Sequence, residues 1–309
     1  MNFNLVYKDL KPSTITVEVY TNINVNLDIF FNRILIDDSE IKYTEIPNKG
    51  IIKKSIKCRN GYIYSCHLCN KCKGLDMRKK KKKYFRNQVM IYIKVDDINI
   101  NIMMFKKNFK ITGCKSMKNI INVCQYLFED YLYEIKKNID SDVYDIKKED
   151  NKILFLIDPV MINYKFNLDF PIHRISMNSI LNDKKYSKYI DLSHLELTML
   201  PSISIKMFSE LPLNHKWYML IYKNNEFKYR YVTVDKIHLY KNPSTMKKSL
   251  RTTIIIFSTS QIIVSGRYVS RISESILFLI DLVYSYKDII REKVEIPTNK
   301  FIFKELTIK

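Results

Sequence analysis

Two segments constrain this chain most. FKITGCKS (109–116) and QIIVSGRYVS (261–270) each run as a short apolar strand, a Thr or Ser, a Gly, and then the start of a long amphipathic stretch. Only five glycines occur in 309 residues, yet two of them, Gly113 and Gly266, close equivalent strands. The interval between them is far too long for a solenoid unit and fits a duplicated domain.

The flanking patterns repeat as well. INIMMF (100–105) and TTIIIF (252–257) each precede a turn and the glycine-closed strand, so both read as β-hairpins. After Gly113, apolar residues at Ile120, Val123, Cys124, Leu127, Phe128, Tyr131 and Ile135 keep to one face of a helix, with Ser116 placed to cap it. After Gly266 the same spacing gives Ile272, Ile276, Leu279, Ile280 and Val283. Earlier in each half a strand leads into a short helix: STITVEVYT (13–21) into LDIFFNRILI (27–36), and PVMINYKFNL (159–168) into HRISMNSILN (173–182). QVMIYIKV (88–95) and SISIKMF (202–208) follow as further strands.

The expected fold class is α+β, an antiparallel sheet with helices on one face and the other face free. The expected boundaries are 1–150 for the first repeat, 151–292 for the second and 293–309 for a C-terminal tail. Two segments break the match: a Cys- and Lys-rich insert at 50–84, which reads as a loop, and an inserted β-hairpin within 209–250.

Formal net charge is +20 with a pI near 9.5, which favours a polyanionic partner, nucleic acid foremost. Abundant Lys, Asn and Ile also accord with AT-rich coding, so charge alone leaves the partner open. The opening MNFNLVYKDLKP has no signal-peptide core, and TTIIIF and SILFLIDLVY are too short or are broken by Asp281, so no membrane span is expected. Six cysteines without a secretory leader point to a reducing, intracellular setting.

The TGCKS and VSGR strand ends, the doubled element order, LPSISIKM (200–207) and DFPIHR (169–174) resemble the core of the TATA-binding protein (TBP) family. PVMINYKF with FRNQV is most similar to the divergent TBP-like proteins of large (giant) eukaryotic DNA viruses. The resemblance covers roughly residues 10–290 apart from both inserts. It implies a saddle: two TBP-like repeats sharing one curved antiparallel sheet, helices on the convex face, and the concave face on double-stranded DNA. The implied function is a transcription initiation factor that binds and bends the minor groove of A·T-rich promoter DNA. A·T pairs offer only acceptors there, whereas G·C pairs add an amine that an apolar surface leaves unsatisfied. A transcription factor IIB-like protein and an RNA polymerase are the implied partners of a monomer acting in a host nucleus or a cytoplasmic viral factory.

Carried over residue by residue, the family's DNA wedges fall on Phe105 and Phe257, on Leu200, and on Phe85, where FRNQV has one residue more than the family pattern and Arg86 competes for the place. Phenylalanines at strand ends are also common core residues. The small hydroxyl beside the strand-end glycine falls on Thr112 and Ser265. The two central asparagine positions fall on Thr14 and Met161, with Thr16 and Asn163 two residues along on the same sheet face. A donor lost at Met161 relaxes central base readout. Lys115, Lys206 and Arg267 match basic positions facing the DNA backbone. The lysine run 79–83 either tracks phosphate or is merely solvated.

Cys58, Cys66, Cys69 and Cys72 form C-x7-C-x2-C-x2-C, with His67 among them. Tetrahedral zinc needs four converging thiolate or imidazole ligands. The pattern lacks two separated C-x2-C pairs, so structural zinc and free thiols both remain open, and no other cofactor is expected. No Gly-rich phosphate loop, G-x-S-x-G or H-E-x-x-H occurs, Asp96-Asp97 reads as a turn, and Glu129-Asp130 lies on a helix, so catalysis is not expected. The rival reading is a non-catalytic protein-interaction module that keeps the saddle without bending DNA. What separates the two is whether the wedge residues project outward or lie under the 209–250 hairpin.

Overall fold

The alternating segments become strands and the segments of 3.6-residue period become helices. The structure is a computed structural model that describes residues 10–48, 51–77, 87–146, 152–197, 201–212, 214–233, 236 and 249–292, with the side chains of 43–48, 51–55 and 249 left aside. The first half runs β1 (Thr14–Thr21), β2 (Ile23–Val25), α1 (Leu27–Arg33), β3 (Lys42–Asn48), β4 (Ile51–Lys57), β5 (Ile63–Leu68), β6 (Lys71–Gly74), β7 (Val89–Val95), β8 (Ile98–Met104) and β9 (Asn108–Cys114). Helix α2 (Met117–Tyr126) then passes through a π-helical segment, Leu127–Tyr133, into α3 (Glu134–Asn138). The remainder is β10 (Tyr144–Ile146), β11 (Ile153–Asn167), α4 (Arg174–Leu181), β12 (Ile190–Glu196), β13 (Ser202–Glu210), β14 (Lys216–Lys223), β15 (Glu226–Thr233), β16 (Ser249–Phe257), β17 (Gln261–Gly266), α5 (Val269–Ser285) and α6 (Lys287–Ile290).

One large antiparallel sheet carries the order β12-β13-β16-β17-β11-β1-β9-β8-β7-β5-β6. Outward from the central β1–β11 pair the neighbours are β9, β8, β7 and β5 on one side and β17, β16, β13 and β12 on the other. At the centre Ile15 faces Ile162, flanked by the pairs Thr14–Asn163 and Thr16–Met161. Helices α2 and α5 begin where β9 and β17 end. Buried Ile111, Ile102 and Ile91 share a core with Ile120, Val123 and Phe128, as Val264, Ile254 and Ile205 do with Ile272, Ile276 and Leu279. Ser116 caps α2 reciprocally with Asn119, as its position suggested.

The paired glycines are required for different reasons. Gly113 has φ 103° at a register shift between β9 and β1, a bulge that disfavours any side chain. At Gly266 the constraint is space, because an added Cβ would come within 2.7 Å of Ile272 Cγ1 on α5.

The 50–84 segment is not one loop. β4 pairs with β3 in a separate two-stranded sheet, while β5 and β6 extend the main sheet. β5 takes the place beside β7 that β12 takes beside β13, and all six of its residues are buried. Its sequence, IYSCHL, lies in a polar, basic stretch and carries Ser65 and His67 inside, where Ser65 Oγ and His67 Nε2 meet at 2.7 Å. The inserted hairpin is β14–β15, turned at Asn224-Asn225 (φ 53° and 61°), and Asp96-Asp97 turns β7 into β8 in the same left-handed way. β14 pairs with Ile153–Ile157 of β11, so β11 starts well before the strand expected at 159–168. The lysine run 79–83 and the tail 293–309 lie outside the described residues. Among the described residues, no helix is long and apolar enough to cross a membrane.

Candidate nucleic-acid interface

Alternation sends every second strand residue to the face opposite the helices. On that face two polar rows cross the sheet. One is Lys206, Thr253, Ser265, Asn163 and Thr14, from β13 to β1. The other is Tyr92, Asn101, Thr112, Thr16 and Met161, from β7 to β11. All the residues matched to base-contact positions (Thr14, Thr16, Thr112, Met161, Asn163 and Ser265) therefore fall in these adjacent rows. Thr253 and Asn101 extend the rows and were missed in the sequence, although each stands one strand outward, on a run already read as β.

Thr16 Oγ1, Asn101 Oδ1 and Asn163 Oδ1 are buried with no hydrogen-bond partner. A buried polar atom left so costs about 1–3 kcal/mol, and native folds keep few of them. All three lie in the rows. Thr16 can donate through its hydroxyl, and each amide presents a donor edge and an acceptor edge.

Phe257 ends β16 opposite Ser202, on the same face as Ile255 and Thr253. Phe105 follows β8 two residues beyond Met103, whose neighbour on that face is Asn101. Both rings are half-buried, and neither belongs to a hydrophobic cluster among the described residues. The β14–β15 hairpin has its own cluster of Leu156, Trp217, Met219 and Val232, which does not include them. Phe85 and Leu200 lie outside the described residues. Sequence reasoning missed Phe208, 54% exposed and two residues beyond Lys206 on β13. Only its place at the end of the alternating SISIKMF run signalled it.

Lys115 is exposed just after β9, and Lys206 is half-buried in its row. Arg267 is placed differently from the phosphate-facing position expected of it. Its guanidinium turns onto Asp158 at 2.6 Å, with side-chain exposures of 16% and 0%, and Trp217 Nε1 donates to the same carboxylate at 3.1 Å. Burial resists the charge on Arg267, but the Asp158 carboxylate outweighs it and holds the guanidinium more firmly protonated. The physical cause lies in β11, which pairs with β17 from Ile162 onward and with β14 up to Ile157. Asp158 sits in the gap between these partners, and Arg267 fills it. His215 stacks edge-on between Trp217 and Tyr268, with centroids at 4.5 and 4.6 Å, and burial lowers its pKa to about 4. Lys110 and Lys165 add charge to the helix-free face, where Lys110 stands opposite Glu18. Glu18 also accepts from the Tyr20 hydroxyl.

The four cysteines do not converge. Cys66 points into the helix-side core, where burial pushes its thiol up to about 12. Cys58 packs beside Tyr62 and Tyr64, and Cys69 occupies the β5–β6 turn with φ 52°. The ligand-type atoms that do gather are those of His67, Cys72 and Asp76, all within 4.8 Å of one another. Glu129 and Asp130 lie in the π-helical segment, their carboxyl pKa values raised chiefly by burial.

No family model matches the chain. Over 196 residues it is 29% identical to a curated relative from Acanthamoeba polyphaga mimivirus named "TATA-box-binding protein-like", an alignment covering 58% of this chain and 46% of the relative. The resemblance read from the strand ends thus extends to a divergent viral protein of that name. The chain spans about half the length of the curated relative it matches.

Proposed function

We propose that this chain binds double-stranded DNA as a transcription factor, laying its helix-free face in the minor groove of A·T-rich sequence and bending it. The observation that carries this reading is the pair of polar rows holding partnerless Thr16, Asn101 and Asn163 atoms, with Phe105 and Phe257 on the same face. Sparse hydroxyls and amides among apolar side chains suit a surface that offers acceptors and no amine. Apolar rings at strand ends suit insertion between base steps. The halves act as two repeats of a saddle, supported by the mirrored strand order on either side of β1–β11. The relative's name supports the transcriptional role. A transcription factor IIB-like protein and an RNA polymerase are the partners of this reading, and its chemistry is binding rather than catalysis.

Glu18, in the middle of the face, favours the alternative of a protein-interaction module, since it repels phosphate. Its cross-strand neighbour Lys110 offsets that charge.

Selection of bound duplexes from a random pool tests the reading. Enrichment of A·T-rich duplexes that fluorescence transfer shows to be bent is the expected result. Recovery of no preferred duplex above background would refute it and leave the interaction module.

A further inference from the structure

We infer that His67, Cys72 and Asp76 form a zinc site that shares only Cys72 with the cysteine set the sequence suggests. His67 and Cys72 stand directly opposite each other on β5 and β6, so their side chains share one face, and Asp76 follows three residues beyond the register pair Ser65–Gly74's neighbour Lys73. One ligand atom from each lies within 4.8 Å of the others. The trio supplies imidazole nitrogen, thiolate sulfur and carboxylate oxygen, the donor classes zinc takes, and leaves one coordination position for water.

The surroundings are those of a built site. His67 is 2% exposed, and its Nε2 lies 2.7 Å from Ser65 Oγ, a contact that fixes the ring. Its ring also stands edge-on to Tyr92 at 6.0 Å. Cys72 is half-buried and Asp76 exposed, so the metal enters from solvent. Cys72 binds as thiolate and releases its proton on loading.

The position gives the ion a task. β6 is a four-residue strand at the margin of the main sheet, and among the described strands it pairs with β5 alone. A metal shared by β5, β6 and Asp76 pins that margin. Ser65 pairs with Tyr92, so the site continues the row that runs through Asn101, Thr112 and Thr16. Just beyond Asp76 the sequence enters the lysine run 79–83.

Zinc and cobalt titration of the full chain, freed of metal by chelator, tests the site. One equivalent of zinc is expected, and cobalt in its place should give a thiolate-to-metal charge-transfer band. Cys72→Ser should abolish the band while Cys58→Ser keeps it, and Asp76→Asn, exposed and tolerant, should weaken zinc. Ser65→Ala should weaken it by about 10–100-fold. Substoichiometric zinc, or a band that survives in Cys72→Ser, would overturn the assignment. Loss of the band in Cys58→Ser would overturn it equally, returning the metal to the cysteine set. The DNA reading stands or falls separately, since none of these measurements involves a duplex.

Discussion

Arg267 Nη2 lies 2.6 Å from both carboxylate oxygens of Asp158, a residue 109 positions earlier in the chain. The contact joins the start of α5 to the place where β11 changes neighbours. Arg267→Ala removes the cation paired with a fully buried carboxylate, and should destabilise the fold by about 3–5 kcal/mol. Adding Asp158→Asn should recover much of that loss. Urea denaturation of the three variants measures it, and fully additive losses would mean that the two residues act independently.

Phe257→Ala and Phe105→Ala should reduce bending of an A·T-rich duplex and lower its affinity, with folding stability changed by no more than about 1 kcal/mol. A core role predicts the reverse, a loss of about 3–5 kcal/mol with bending intact. Fluorescence transfer on an end-labelled duplex, run beside thermal denaturation, separates the two. Phe208→Ala belongs in the same series, because its ring is exposed on the same face.

His215 should make stability depend on pH. Its folded pKa is lowered by burial to about 4, below the value of about 6.5 for an unfolded histidine. The unfolded chain therefore takes up the proton first. The stabilisation is fully present above about pH 6.5 and declines as pH falls toward about 4. His215→Phe keeps a ring between Trp217 and Tyr268 and should flatten the melting temperature across that window.

Gly266→Ala should destabilise by about 1–3 kcal/mol through overpacking against Ile272. Ile272→Ala in the same chain should relieve the clash while costing its own cavity, so the double variant should fall short of the summed losses. At Gly113 no neighbouring truncation should help, because the obstacle there is φ 103°. Melting temperatures of the two alanine variants with and without Ile272→Ala distinguish crowding from backbone strain.

Periodicity made most of the sheet legible. The short apolar runs INIMMF and QIIVSG, each bounded by a turn, and the helical spacing after each glycine placed β8, β9, β16, β17, α2 and α5, in which one face is buried. β5 escaped for the opposite reason. It is buried on both faces, and its Ser65 and His67 are polar residues that meet each other inside, which no window of sequence reports. Arg267 was placed on the DNA backbone because it matches a basic position of the resembled family. Its partner Asp158 is remote in sequence, and only the split pairing of β11 brings them together. The spread of Cys58, Cys66 and Cys69 was hidden for a related reason, since spacing between cysteines says nothing of which sheet face each one takes.

The two rows are not copies of each other. Where one half places Thr14 the other places Met161, and where one row ends in Lys206 the other ends in Tyr92. Such a face has a head and a tail. A palindromic duplex laid across it would meet a charged, hydroxyl-rich end and an aromatic one, so the protein itself carries a polarity that a symmetrical site cannot supply, and with it a direction along the helix axis.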